Sequence, residues 1–207
     1  MATRIAKRSR SMRKQPRQAR SRDTVDVIVE AGAQVLARKG WSGFNTNDVA
    51  ATAGVSIGSV YQYFPDKLVL IDAIRLRHLD QVLKVFDLPS RDDEALEDRV
   101  GHLIDGMIAS HHLHPGLHRV LLDEVPRPDA ASADDQRFDQ AYRRRFRAFV
   151  AAATGLRASH LALAASVIAA AVEGMVHEAI RLDARLARSF RDEIVNAVVS
   201  YLQAKMP

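Results

Sequence analysis

Hydroxyl-bearing side chains are concentrated between residues 56 and 67 of this 207-residue chain. They are Ser56, Ser59, Tyr61 and Tyr63, and Lys67 adds a positive charge at the end of the run. Hydroxyl and ammonium groups donate hydrogen bonds to phosphate oxygens, and Gly58 would let a ligand come close to the backbone. The stretch is therefore a candidate surface for a phosphate-bearing partner.

The same stretch also contains the pattern G-x-S-x-G, from Gly54 to Gly58. In serine hydrolases this pattern places the nucleophile, which would be Ser56 here, on a sharp turn between a buried strand and a helix. The preceding residues, TNDVAATA, have the pattern of a helix and not of a strand, so a hydrolase is the less favoured alternative. We expect no catalytic residue and no enzymatic activity.

Two short helices joined by a tight turn are predicted to carry these residues. Thr46 is a good N-cap for the first helix, whose apolar face consists of Val49, Ala50 and Ala53. Gly54 allows that helix to end, and Ser56 caps the second helix.

The second helix is predicted to have one buried face and one free face. Val60 and Phe64 lie four residues apart and anchor it to a core. Its N-terminal end and outer faces are left to Ile57, Gly58, Ser59, Tyr61 and Tyr63. Pro65 and Asp66 then begin a third helix.

Thirteen residues of this region fit one known pattern. They are Thr46, Val49, Ala50, Ala53, Gly54, Val55, Ser56, Gly58, Tyr61, Tyr63, Phe64, Lys67 and Leu70. Their spacing resembles the DNA-binding signature of the tetracycline-repressor (TetR) family of bacterial transcription regulators. The resemblance runs from about Arg20 to His78, and the remainder is similar to the family in helical layout.

The resemblance implies a fold and a set of contacts. The fold would be all-α with about nine helices, comprising an N-terminal helix-turn-helix head and a C-terminal helical body that binds a ligand and dimerises. The second short helix would enter a DNA groove and read base edges with Ile57, Gly58, Ser59 and Tyr61. Phosphate contacts are assigned to Thr46, Ser56, Tyr63 and Lys67.

Positive charge is concentrated at the N-terminus. Residues 1–22 hold nine Lys or Arg and no acidic residue, whereas the other 185 residues carry 21 basic and 25 acidic side chains. A basic arm beside a helix-turn-helix is typical of nucleic-acid binding, and Arg17 and Arg20 could enter a minor groove. A solvated tail that only aids solubility is the alternative for its first residues.

Three regions follow from these patterns: a basic arm at 1–20, a DNA-binding domain at 21–66, and an effector-binding and dimerisation domain at 67–207. The first helix of the chain is placed at about 22–39, capped by Ser21 and ended by Gly40. The helix that begins at Pro65 continues to about Phe86. A loop is predicted at Asp87 to Asp93. Further helices are placed at about 94–111, 115–124, 132–154, 159–182 and 186–205.

The body contains a cluster of histidines and an alanine-rich helix. We expect the histidines at 102, 111, 112, 114 and 118 to be solvated or hydrogen-bonded, with no metal site, because Pro115 interrupts the helical spacing of the last pair. No cofactor is expected. The apolar run from Leu161 to Val172 is too short to span a bilayer, and it predicts a helix buried on several sides.

The resulting hypothesis is a homodimeric, ligand-responsive repressor in the cytoplasm that binds a palindromic double-stranded operator and does not contact a membrane. Dimers would form through the last two helices. The family resemblance implies an effector pocket for a small apolar or aromatic compound, and we assign its lining to Met107, His111, Tyr142, Phe146, Glu173 and His177. The alternative is a non-specific architectural DNA-binding protein.

Overall fold

A computed structural model describes residues 19–87, 94–126 and 133–206, except for the side chains of residues 19, 20, 133–135, 158, 159 and 184. In this part of the chain the regular elements are helices and no strand is present. They are α1 (Ala19–Gly43), α2 (Thr46–Ala53), α3 (Ile57–Tyr63), α4 (Lys67–Lys84), α5 (Leu96–His112), α6 (Leu117–Arg119), α7 (Ala133–Thr154), α8 (Ala158–Ala179) and α9 (Ala184–Gln203). A 3-10 turn, Val85–Asp87, follows α4, and a π-helical segment, Val120–Glu124, follows α6.

The helices form two compact units. The head unit lies within Met1–Arg77 and His114–Pro126, and the body unit lies within His78–Leu113 and Arg127–Pro207. These contact-based units differ from the functional regions predicted from sequence. The boundary between the units falls within α4, and the segment that contains α6 belongs to the head unit. Most of the predicted loop, residues 88–93, lies outside the described residues.

The core of the head unit comes from the apolar faces of α1 to α4. The largest fully buried side chains there are Ile28, Leu36, Phe64, Leu70, Ile71 and Ile74. Gly32 lets α1 and α4 approach closely, since a Cβ at this position would lie 2.7 Å from Cδ1 of Ile74. This packing braces the short helices α2 and α3.

The first helix differs from its prediction at both ends. The helix already includes Ala19, so Ser21 lies inside α1 and is not its N-cap. At the other end Gly40 has φ 68°, which breaks the helical backbone at the glycine that was predicted to end it. The next N–H, of Trp41, donates to Oε2 of Glu124 at 3.0 Å, and this bond holds the end of α1 to the π-helical segment.

The body unit is built around α8, which packs against α5, α7 and α9. Its buried face includes Ala164, Ala165, Ile168 and Val172, and the two alanines allow close helix approach. Phe146 of α7, Ile104 and Met107 of α5, and Ile194 and Leu202 of α9 complete the core. The prediction that this alanine-rich helix needs several neighbours is confirmed.

Candidate DNA-binding surface

The N-terminus of α2 is capped by Asn45 and not by Thr46. The Asn45 Oδ1 accepts a hydrogen bond from the Asp48 N–H at 2.9 Å. Thr46 is the first helical residue and is buried, because its hydroxyl lies against α3. Lys39 and the Asn45 amide both donate to the Asp48 carboxylate, and these contacts lower the pKa of Asp48.

The turn between α2 and α3 depends on one left-handed residue. Gly54 has φ 66° and ψ 29°, and its N–H donates to the Ala51 carbonyl. The N–H of Val55 donates back to the Ala50 carbonyl at 3.0 Å. Two orphan carbonyls of α2 are thereby satisfied, and only three residues separate the end of α2 from the start of α3.

Ser56 caps α3, as predicted. Its Oγ accepts from the Ser59 N–H at 3.0 Å and lies 2.8 Å from the Ser59 Oγ. The G-x-S-x-G pattern therefore joins two helices, whereas a nucleophile elbow joins a strand to a helix. The Ser56 hydroxyl is used to stabilise the start of a helix.

The two faces of α3 have opposite environments. Val60, Tyr63 and Phe64 are buried, whereas Ile57, Gly58 and Tyr61 are exposed. Tyr63 was expected on an outer face, but it is 6 % exposed because it lies three residues after Val60 and shares its inward direction. Ser59 is half-buried at the edge.

Tyr61 is the largest exposed side chain of α3, and α2 holds its hydroxyl. The residue is 44 % exposed, and its hydroxyl oxygen lies 3.1 Å from the Thr46 Oγ1. This bond links the two short helices and fixes the direction of the ring. A tyrosine held in this way loses less rotational freedom when it contacts a ligand.

Lys67 begins α4 and has a defined orientation. Its Nζ lies 3.9 Å from the centroid of the Trp41 ring, a cation–π contact. Asp66 caps the helix, since its Oδ1 accepts from the N–H groups of Leu68 and Val69. Lys67 is exposed, and the cation–π contact holds its ammonium over the Trp41 ring on the surface of the head unit.

The structure brings most of the predicted contact residues together. Ser56, Ile57, Gly58, Ser59 and Tyr61 lie on α3 or at its start. Arg17 lies outside the described residues, as does the side chain of Arg20. Sequence reasoning did not single out two exposed residues near this surface: Asn45, the cap of α2, and Gln62, which follows Tyr61 in α3.

The six residues assigned to an effector pocket lie on three helices of the body unit. Met107, His111, Tyr142 and Phe146 are buried, His177 is half-buried and Glu173 is exposed. The Tyr142 and Phe146 rings are 4.8 Å apart, and the rings of His111 and His177 are 5.4 Å apart. The assigned residues therefore contain two neighbouring pairs of rings, the aromatic pair Tyr142 and Phe146 and the histidine pair His111 and His177.

Burial determines the protonation of these groups. It lowers the pKa of His111 and of His177 and raises the pKa of Tyr142, with the Glu173 charge adding to the shift at Tyr142. The His111 Nδ1 lies 2.7 Å from the Met107 carbonyl oxygen, so this histidine is hydrogen-bonded as expected. In the head unit, His114 pairs with Glu30 at 3.3 Å.

Two family models match the chain. The model described as bacterial regulatory proteins of the tetR family matches residues 28–74, and the model described as tetracyclin repressor-like, C-terminal domain, matches residues 95–202. The chain therefore belongs to the TetR family of transcriptional regulators. Regulators of this family bind DNA and are not enzymes.

Solved structures show the same fold at low sequence identity. A TetR-family regulator from Streptomyces coelicolor is 18% identical, with a TM-score of 0.67 and 90% coverage of each chain. A TetR regulator from Haloarcula marismortui is 18% identical, with a TM-score of 0.70, 90% coverage of this chain and 100% of the other. No curated protein sequence matches the chain.

One helical stretch in the described part of the chain, His160–Ala179, is long and apolar enough to cross a membrane by length and composition. The core helix of a soluble protein meets the same criteria, and α8 supplies the centre of the body core. TetR-family regulators are soluble DNA-binding proteins.

Proposed function

We propose that this protein is a ligand-responsive, sequence-specific repressor that acts in the cytoplasm and has no enzymatic activity. The observation that carries the proposal is the division of α3 into a face fixed in the core and an exposed N-terminal edge. Val60 and Phe64 hold the helix, and Ile57, Gly58 and Tyr61 are free to contact DNA. A helix presented in this way fits the major groove.

Each exposed residue of α3 has a distinct part in the proposed contact. Ile57 makes apolar contact with a thymine methyl group, and Gly58 lets the helix backbone approach the DNA. Ser59 and Tyr61 offer hydroxyls to base edges. Because these side chains make few hydrogen bonds, DNA shape contributes to the sequence preference.

Phosphate contacts position the head on the duplex. Ser56 and Lys67 are exposed and serve this role directly. Thr46 and Tyr63 are both buried, so burial argues against the phosphate contacts assigned to them from sequence. Thr46 instead orients Tyr61 through the bond between their hydroxyls. Arg17 and Arg20 of the arm extend the contact to a minor groove.

Two copies of the chain would bind one palindromic operator. The exposed apolar residues of α8 support dimerisation through α8 and α9, because Leu163 is 70 % exposed and Val167 is 40 % exposed. A four-helix interface between two copies would cover both residues. The two reading helices would then enter successive major grooves.

A small apolar or aromatic effector would bind the body and lower DNA affinity. The buried group around Met107, Tyr142 and Phe146 supports an apolar lining, and His111 and His177 supply polar partners. To release DNA, the effector must bind more tightly to the conformation in which the heads do not fit the operator.

Selection of bound duplexes from a random pool tests the DNA-binding proposal. We expect enrichment of one palindrome and a steep decrease in affinity with salt concentration. Lys67→Ala should weaken binding by a similar factor on every duplex, and Tyr61→Ala should also change which sequences are selected. Recovery of unrelated duplexes by the wild-type protein would overturn sequence-specific recognition.

Deletion of residues 1–19 separates a specific regulator from an architectural protein that binds through its arm alone. The shortened repressor should bind more weakly and still select the same palindrome, because α3 remains. An architectural protein would lose binding without having shown any preference. A screen of apolar and aromatic compounds for release of the selected duplex then tests the effector.

A further inference from the structure

Gln62 lies on the side of α3 that is turned away from the core of the head unit. It is exposed and follows the buried Val60 by two residues, which is about 200° around a helix. Gly58 precedes it by four residues and lies on the same face, one turn nearer the start of α3. Because Gly58 adds no side chain to this face, Gln62 is its most prominent group.

The hydroxyls of Ser59 and Tyr61 already have partners within the protein. The Ser59 Oγ lies 2.8 Å from the Ser56 Oγ, and the Tyr61 hydroxyl lies 3.1 Å from the Thr46 Oγ1. The Gln62 amide, by contrast, has no hydrogen-bond partner among the residues that the structure describes. Its carbonyl oxygen and its NH₂ group are therefore both free to bond to one ligand.

An amide that offers an acceptor and a donor side by side matches one base of the major groove. Adenine presents its N6 amino group as a donor and its N7 as an acceptor, so a glutamine can accept from the first and donate to the second. Guanine presents two acceptors on the same edge, so a glutamine forms only one of the two bonds there. A bidentate contact of Gln62 would therefore select adenine.

We propose that Gln62 is a specificity-determining residue that reads one adenine in each half of the operator through this pair of hydrogen bonds. The inference rests on the proposed DNA-binding function. It assigns the main direct hydrogen-bonded readout to a side chain whose polar atoms are not already engaged, one turn beyond the point where Gly58 lets the helix approach the duplex.

Selection of bound duplexes from a random pool shows which base each variant prefers. The wild-type palindrome should contain one A·T pair in each half whose preference disappears in Gln62→Ala, while the other positions keep theirs. Gln62→Arg should select guanine at the same position, because arginine bonds to the O6 and N7 of guanine. Gln34→Ala, which removes an exposed glutamine of α1, is the matched control and should select the wild-type palindrome.

Replacement of that adenine by 7-deazaadenine tests the contact at the level of one atom. The modified base keeps its pairing with thymine and its N6 donor, but it lacks the N7 acceptor. The full-length wild-type protein should bind the modified operator about tenfold more weakly, whereas Gln62→Ala should bind both operators equally. Fluorescence anisotropy measures the four affinities, and circular dichroism checks that the variants are folded.

The outcomes separate this inference from the function on which it rests. Recovery of unrelated duplexes by the wild-type protein would overturn sequence-specific recognition itself. If the wild-type protein selects a palindrome and folded Gln62→Ala selects the same one, only the role of Gln62 is lost. The role is also lost if Gln62→Ala weakens binding to every duplex by one factor, as a phosphate contact would, or if 7-deazaadenine leaves wild-type affinity unchanged.

Discussion

At the residue scale, Ser56 caps α3 and is proposed to contact a phosphate, and two substitutions separate the observed role from the proposed one. Ser56→Ala removes the oxygen that accepts from the Ser59 N–H and should lower the free energy of unfolding by about 1 kcal/mol. Ser56→Asp restores a capping acceptor, so stability should stay near the wild-type value, but its charge repels phosphate. We expect it to weaken DNA binding by at least about tenfold.

Urea unfolding and fluorescence anisotropy with the selected duplex measure these two effects of Ser56. Ser189→Ala, an exposed change within α9, is the matched control and should alter neither quantity appreciably. Wild-type DNA affinity of Ser56→Asp would show that no phosphate approaches the start of α3.

His111 makes the stability of the protein depend on pH. Burial lowers its folded-state pKa, whereas the unfolded chain takes up a proton near pH 6.5. The free energy of unfolding should therefore be constant above about pH 7.5 and fall as the pH is lowered through about 6.5, because the unfolded state then binds more protons. His111→Gln should reduce this slope by up to about 1.4 kcal/mol per pH unit.

Denaturant unfolding between about pH 5 and pH 8 checks this prediction, because this range spans the ordinary pKa of histidine. The remaining slope in His111→Gln belongs partly to His177, whose pKa burial also lowers. His160→Gln, at an exposed position in α8, serves as the control. An unchanged slope in His111→Gln would mean that this histidine takes up its proton equally in both states.

At the element scale, much of the helix-turn-helix could be predicted from sequence. Gly54 and Ser56 act through local backbone geometry, which residue type and spacing reveal, and the structure places both as expected. The cap of α2 could not be chosen from sequence, because Asn45 and Thr46 are both good capping residues. Thr46 is instead the first residue of α2, and its hydroxyl bonds to that of Tyr61. These residues are fifteen positions apart, so local sequence does not reveal the contact.

The body was predictable as a series of helices, but its cavities were not. Apolar periodicity, Pro115 and Gly155 indicated where helices lie along the chain. A cavity depends on how distant side chains meet, and one cavity of the body unit is lined by Phe86, Leu103 and Phe149, which come from three separate segments. The assigned effector residues remain a prediction for the same reason.

Gly54, which caps the end of α2, and Gly58, which lies in α3, have different physical roles, and substitution by alanine distinguishes them. At Gly58 a Cβ would meet only the Ser56 Oγ at 3.7 Å, so Gly58→Ala should raise the free energy of unfolding by roughly 0.5 kcal/mol through a better helix propensity. The added methyl group would hold α3 away from the DNA. We therefore expect a more stable protein with at least about tenfold weaker operator binding.

Gly54→Ala is the comparison for the Gly58 experiment. Its Cβ would have open space, but φ of 66° is unfavourable for alanine, so stability should fall by about 1–2 kcal/mol. Thermal unfolding and anisotropy measure both variants. Unimpaired operator binding by Gly58→Ala would show that the helix backbone does not approach the duplex there.

At the scale of the whole molecule, α8 has a surface that one chain leaves uncovered. Leu163, Val167, Ala170 and Gly174 are all exposed and follow the spacing of a single helical stripe. At Gly174 an added Cβ would meet nothing within 4 Å. Small and apolar residues in a stripe suit close packing against a second helix, which supports the proposed two-fold dimer.

Val167→Glu tests that interface and its connection to DNA binding. In a symmetric dimer the substitution places two carboxylates in or near the same apolar contact, so sedimentation should show a monomer that remains folded by circular dichroism. Without the partner each head binds only one half-site, and operator affinity should fall by about a hundredfold or more. Leu113→Glu, an exposed change outside α8 and α9, should remain dimeric and bind normally. A dimeric Val167→Glu protein with normal operator affinity would place the dimer interface on another surface of the body.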